Sequence, residues 1–314
     1  MAVTLAESAK LSTNQLRAGV IETIVQEFNP LSELRFEDVQ GNAYAYNTEG
    51  TLPGVAFRGV NQGYAESTGT VNDRTESLTM FGGDADVDRF IEVTRGNLVG
   101  QRATQTALKS KALALGFADA FINGDKSANA NAFDGLKTRL TGAQVISAGT
   151  NGLAIVGADD AARHTFLDKL DELLAAVPGG ADALIMNSGV KAKIKSAARR
   201  IGGWDSTRAE FGMTIDTYNG VRLYDAGVNP AGVPIIPQTE VQGTATNASS
   251  IYAVKWAGGE NDTGVLGLWS PGGVMVDDLG MLQEKPVYRT RIELYSSIAV
   301  FGRGAARLTG VLNA

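Results

Sequence analysis

The stretch from Lys285 to Leu312 constrains this chain more than any other. From Tyr288 to Tyr295, charged and apolar or aromatic side chains interleave. Successive side chains on a strand point to opposite faces, so this pattern predicts a long strand with one covered face. The run continues through Ile298, Val300 and Phe301 to a basic, glycine-punctuated exit at Arg303 and Arg307. Just upstream, Gly264–Trp269 and Val274–Asp277 read as another strand-turn pattern. An enzyme domain rarely ends on its longest strand, as this chain is expected to do.

The 314 residues are 44% hydrophobic, enough for one large domain or two to three interleaved ones. Net charge is -6, which argues against a surface built to neutralise phosphates. The absence of cysteine removes disulfides, thiolate nucleophiles and cysteine-ligated metals. No run of 18 apolar residues occurs, and the first residues lack the basic start and apolar core of a signal peptide. The expectation is a soluble intracellular protein with no membrane segment. Glycine is frequent, at 38 residues, which predicts many bends and tight turns.

Along the chain, Leu16, Val20, Ile24 and Phe28 recur at helical spacing behind a capping box at Ser12–Gln15, and Pro30 stops the helix. Residues 35–82 alternate weakly, with Tyr44 and Tyr46 on one run and Val55 and Phe57 on another. They predict a long two-stranded hairpin with too little apolar surface to stand alone, Gly69–Asp73 supplying turn chemistry. A long helix is expected over 97–122. Its face is Ala103, Ala107, Ser110, Ala114, Phe117, Ala118 and Phe121, and Asn123-Gly124 is its stop.

Residues 146–264 read as an α/β unit. Asp159 or Asp160 opens a helix, Ala183–Met186 is a buried strand, and Ser188 caps a basic helix through Arg200. Residues 204–212 read as a loop, Tyr218–Val221 as a hairpin turn, and Gln242–Ser250 as a surface loop.

The motifs of catalysis are incomplete. His164 is the sole histidine, which leaves little for a triad or a zinc site. Asp84, Asp86 and Asp88 imitate the start of a calcium loop, but Arg89 and Arg95 stand where glycine and glutamate are needed. Ser188–Lys191 matches a Ser-x-x-Lys spacing without its partner motifs. No catalytic residue, cofactor site or metal site is assigned. A pairing of the three aspartates with arginines of another subunit is expected as a minor contact.

Several stretches occur in a telling order: Gly41–Tyr46, Pro53–Arg58, the alanine-rich helix, Phe121–Asp125, Phe133–Leu136, Met186–Val190, Tyr218–Arg222, Asp278–Gly280 and Lys285–Arg291. In this order they resemble the tailed-bacteriophage major capsid protein family, whose Hong Kong phage capsid fold is shared with encapsulins. The resemblance implies an α+β fold of four parts: an N-terminal arm (1–34), an extended loop (35–82), a peripheral domain (83–145 and 265–314) and an axial domain (146–264). It implies self-assembly as hexamers and pentamers into an icosahedral head in the host cytoplasm, enclosing double-stranded DNA without sequence-specific binding.

Subunit contacts are expected from the arm helix residues, from Tyr44, Tyr46, Phe57, Arg58, Tyr64 and Arg74, from Asp84, Asp86 and Asp88, and from Arg289, Arg291 and Glu293. Some relatives weld subunits through a loop lysine and a peripheral asparagine. Here 31–86 holds no lysine and 262–312 no asparagine, so noncovalent overlap or a decoration protein must serve. The short arm implies a separate scaffolding protein, and a portal protein is a further expected partner. An encapsulin-like compartment is the nearest alternative, and a metabolic α/β hydrolase or transferase is the alternative from another class.

Overall fold

The computed structural model describes residues 3–4, 30, 33–95, 100–201, 205–208, 214–259 and 262–313. The expected arm helix, with Leu16, Val20, Ile24 and Phe28, lies outside them. The first strands are β1 (Val3–Thr4), β2 (Arg35–Asp38), β3 (Ala43–Glu49), β4 (Val71–Ser77) and β5 (Thr79–Asp88). Helices α1 (Arg89–Arg95), α2 (Gln101–Asn123) and α3 (Leu136–Arg139) follow. Next come β6 (Val145–Ser147), β7 (Leu153–Ala154), α4 (Asp160–Ala175), β8 (Ala183–Met186) and α5 (Ser188–Ile201). The chain continues through β9 (Asp205–Arg208), β10 (Thr214–Tyr218), β11 (Val221–Asp225), β12 (Glu240–Gln242) and β13 (Ala245–Val254). It closes with β14 (Gly264–Met281), β15 (Val287–Phe301) and β16 (Ala305–Leu312).

Two sheets share the C-terminal chain. One runs β1-β2-β14-β15-β5, and the other follows β6-β16-β13-β8-β11-β10-β9 with β12 and β7 attached. The expected strand is β15, but β14 is longer, and the chain ends on β16 in the other sheet. Residues 305–312 therefore belong with the 146–264 unit and not with 265–301. The crossing is made by glycines. Gly264 and Gly304 pass so closely that a Cβ on Gly304 would lie 2.3 Å from the Gly264 Cα.

Helix α2 lies on β5 and β15 and seals the first core. Phe117 packs 6.2 Å from Phe36 and 5.8 Å from Phe133, and Phe36 stacks on Trp269 at 4.8 Å. The glycines at this seam make room for rings: a Cβ at Gly116 would lie 2.8 Å from Phe81, and one at Gly267 2.6 Å from Phe36. Thr106, Ser110, Leu113, Ala114, Phe117, Ala118, Phe121 and Ile122 are buried. Ala103 and Ala107, expected on this face, are exposed, while Thr106 and Ser110 in the same turns are buried. There Arg102 holds the helix to the sheet, bonding Asp278 at 2.5 Å and covering the Tyr288 ring. The stop at Gly124 is extended (φ -50, ψ 136), not left-handed. Glycine is needed there for space, since a Cβ would lie 2.4 Å from the Phe133 carbonyl oxygen.

The second sheet separates two cores by its period of two. Leu184 and Met186 of β8 face α4 and α5, while Ile185 faces the α2 side. β13 divides likewise, Ile251 and Ala253 against Tyr252 and Val254. Asp159 caps α4 by accepting from the Ala162 amide at 2.8 Å. Asn187, not Ser188, caps α5: its Oδ1 accepts from the Gly189 amide at 2.9 Å, while its Nδ2 donates to Ile236. Asn219 (φ 48) and Gly220 (φ 81) make the expected tight turn between β10 and β11.

Two expected loops are strands. Residues 205–208 pair with β10. Ala245–Val254 is a central strand between β16 and β8; Thr246 and Asn247 at its start are exposed, and Ser249 and Ser250 are buried. There the Ser250 hydroxyl bonds Glu240, and Arg307 donates to both.

Candidate functional site

Among the described residues, strands β3 and β4 pair only with each other, from Ala43↔Ser77 to Glu49↔Val71. Beyond them the two arms stay side by side. The Gly50 amide donates to Thr70 at 2.8 Å, the Thr70 amide to Thr51 at 2.9 Å, and the Ser67 hydroxyl to Gly54 at 2.9 Å. The turn is at the far tip, where the Gln62 amide donates to Gly59 and Asn61 has φ 66. Gly69–Asp73, expected as the turn, instead leads into β4, because the cross-arm bonds set the register. From Glu49 to Val60 the hairpin reaches roughly 35 Å at strand rise.

Every residue from 50 to 75 is exposed. Val55 is 98% exposed and Phe57 106%, and Leu52, Val60 and Tyr64 are also open. Arg58 covers the Tyr64 ring at 5.3 Å and donates to the Gln62 carbonyl at 3.1 Å, which shapes the tip.

The base is held firmly. Tyr46 meets Phe301 edge-on at 4.9 Å, and Tyr44 lies 6.4 Å from the same ring. Val39, Leu266, Leu268 and Ala299 complete that small core on the outer face of β14 and β15. Glu76 and Arg139 form a two-pronged pair, its second arm 2.7 Å long, with side chains only 14% and 9% exposed. Arg139 Nε also donates to the Asp134 carbonyl at 2.6 Å. Burial, then the Glu76 carboxylate, push the Tyr46 hydroxyl above the ordinary tyrosine value. Tyr44 and Tyr46, expected as subunit contacts, thus pack on their own chain. Arg74 stands opposite Tyr46 in the ladder and is exposed. Glu76 and Arg139 escaped the sequence reading because 63 residues separate them.

The charged candidates also find one another. Register sets Arg291 opposite Asp84 and Arg289 opposite Asp86. Arg289 grips Asp86 with bonds of 2.7 and 2.6 Å, and Arg291 grips Asp84 at 2.8 and 3.0 Å. Arg289 reaches Asp84 as well, at 3.0 Å. The three aspartates were expected to meet arginines of another subunit; within the chain, strand register brings Asp84 and Asp86 edge to edge with Arg291 and Arg289. Asp88 accepts from the Phe90 amide at the start of α1, and Glu293 accepts from the Tyr295 hydroxyl.

The hydrogen bonds from Arg291 and Arg289 hold the Asp84 and Asp86 carboxyls below the usual range. The folded chain therefore binds these protons less readily than the unfolded chain does. Their stabilisation is present above the usual carboxylate pKa and is lost as pH falls through the folded-state values. Urea midpoints are expected to drop across that acidic window, and Asp84→Asn with Asp86→Asn should flatten part of the drop. An unchanged slope in the double variant would show that the two forks contribute nothing.

A second apolar patch lies at the far end of the first sheet. The Arg89 amide bonds Pro286, so α1 starts beside the β14–β15 turn, and Phe90, Val93, Leu279 and Met281 are exposed there. Among the described residues no group of three His, Cys, Asp or Glu side chains could hold a metal. His164 is exposed on α4, and Lys191 pairs with Asp216 at 3.3 Å.

A family model described as Major capsid protein GP7 matches residues 13–161. The chain aligns over 100% of its length, and 98% of the other, with the holo-SrpI encapsulin complex from Synechococcus elongatus PCC 7942, at TM-score 0.67 and 19% identity. The chain has the capsid shell fold. Mycobacterium phage Bobi shares it at TM-score 0.57 and 13% identity, over 91% of this chain and 89% of that one. The capsid of a native GTA particle shares it at TM-score 0.54 and 14% identity, over 92% and 90%. No curated protein sequence matches the chain.

Proposed function

We propose that the chain is a major capsid protein that self-assembles, as hexamers and pentamers, into the icosahedral head of a tailed phage. The head encloses double-stranded DNA, and the net charge of -6 suits a wall that does not grip it. The observation that carries this reading is the hairpin. It is anchored at its base by Tyr46, Glu76 and Arg139, yet it holds out Leu52, Val55, Phe57 and Val60 as exposed side chains. A monomer has no use for such an arm, whereas a neighbouring copy would bury it. Phe90, Val93, Leu279 and Met281 form a second contact. Residues 146–264 with 305–312 take the axial position, and 83–145 with 265–301 the peripheral one. A separate scaffolding protein, a portal and a decoration protein are the partners of this reading.

A second reading is an encapsulin-like compartment, favoured by the near-complete alignment with the encapsulin chain. Negative-stain electron microscopy after size exclusion, with the phage-encoded scaffold present, tests both. Closed shells or rings of five and six support assembly. Nuclease-protected DNA inside them marks a phage head, and a single copurifying enzyme marks the compartment. A chain that stays monomeric with its scaffold sinks both.

A further inference from the structure

The hairpin base carries a feature that assembly does not explain. A cleft of about 240 Å³ opens between hairpin and body, with Tyr46, Asn72, Arg74, Arg139, Gln144 and Arg303 in its lining. Among the described residues, three guanidiniums and no carboxylate line it. Glu76 answers Arg139 from beside the cleft. Arg74 comes from β4 of the hairpin, and Arg303 from the turn between β15 and β16 of the body. Both are exposed. Tyr46 fixes the two lips relative to each other, since it faces Arg74 in the ladder and packs on Phe301, two residues before Arg303. Clustered cations repel in a small cleft, and an entering anion reverses that sign.

We propose that this cleft is an oxyanion site of the phosphate class, in which Arg74 and Arg303 grip one anion and so tie the hairpin to the body. The cleft is smaller than the pockets that take drug-sized ligands, which suits a single tetrahedral group. Guanidinium forks match phosphate oxygens two at a time, and the Asn72 amide adds a neutral donor. Arg139 is partly buried and its charge is answered by Glu76, so the anion's charge is met by Arg74 and Arg303. The anion is either free phosphate or a phosphodiester of nucleic acid, which present the same oxygens.

The site lies within one chain, so its test is independent of shell formation. Hydrogen exchange of segments 43–49 and 71–77 is followed in the full chain while inorganic phosphate replaces chloride at constant ionic strength. Phosphate should slow exchange severalfold. Arg74→Gln or Arg303→Gln should weaken phosphate binding about tenfold, as expected for loss of one charge-assisted fork. Arg289→Gln, whose fork is engaged by Asp86, should leave binding unchanged. Protection by a short DNA duplex at lower concentration than phosphate would identify the phosphodiester as the source, and protection by phosphate alone the free ion. Exchange indifferent to phosphate, or an effect retained in both arginine variants, overturns the proposal. So does protection seen only in assembled shells and unaffected by phosphate, because a neighbour's carboxylate would then fill the cleft.

Discussion

Val55→Asp combined with Phe57→Asp should leave the chain folded and abolish closed shells. Both side chains are fully exposed and contribute nothing to the three cores, so folding stability should change by no more than about 0.5 kcal/mol. Burying each at a neighbour stabilises the contact by about 2 kcal/mol, and aspartate in its place would be desolvated without a partner. The penalty recurs at every copy of the contact, so a modest local change becomes an all-or-none outcome. Circular dichroism should match the parent chain, while sedimentation should show only small species. Shells formed at normal yield would mean that the hairpin is not the contact.

Phe117→Ala should lower stability by about 3–5 kcal/mol, the range for removing a buried aromatic ring. Phe117 is 2% exposed and touches Phe36 and Phe133 at the seam between α2 and the first sheet. The neighbours cannot collapse into the gap, because Phe36 is held by its stack on Trp269. Ala103→Ser on the same helix is the control, and should be nearly neutral because Ala103 is exposed. Urea unfolding of both variants decides the matter. A loss below about 1 kcal/mol at Phe117 would place the main core elsewhere.

The placement of Ala103 shows where periodicity stops being informative. Helical spacing assigns a residue to a face, but it cannot say which edge of that face is covered: Thr106 and Ser110 are buried beside exposed Ala103 and Ala107. Likewise, Ser249 and Ser250 looked like loop residues because their hydroxyls are polar. They are buried in β13, where Ser249 stands opposite Val311 of β16 and Glu240 and Arg307 supply the Ser250 hydroxyl with partners.

Features carried by neighbouring residues were legible in the chain. The alternation of 288–295, the Asn219-Gly220 turn, the buried run Ala183–Met186, the long helix and the two-stranded hairpin all follow from local stereochemistry and spacing. The aspartate run at 84–88 and the arginines at 289 and 291 were visible as charged candidates, but not as partners, because some 200 residues part them and register alone joins them. The same holds for Glu76 with Arg139, for the passage of Gly304 over Gly264, and for the transfer of β16 into the second sheet. Each depends on long-range pairing, whose energy comes from packing between segments and leaves no periodic mark in either one.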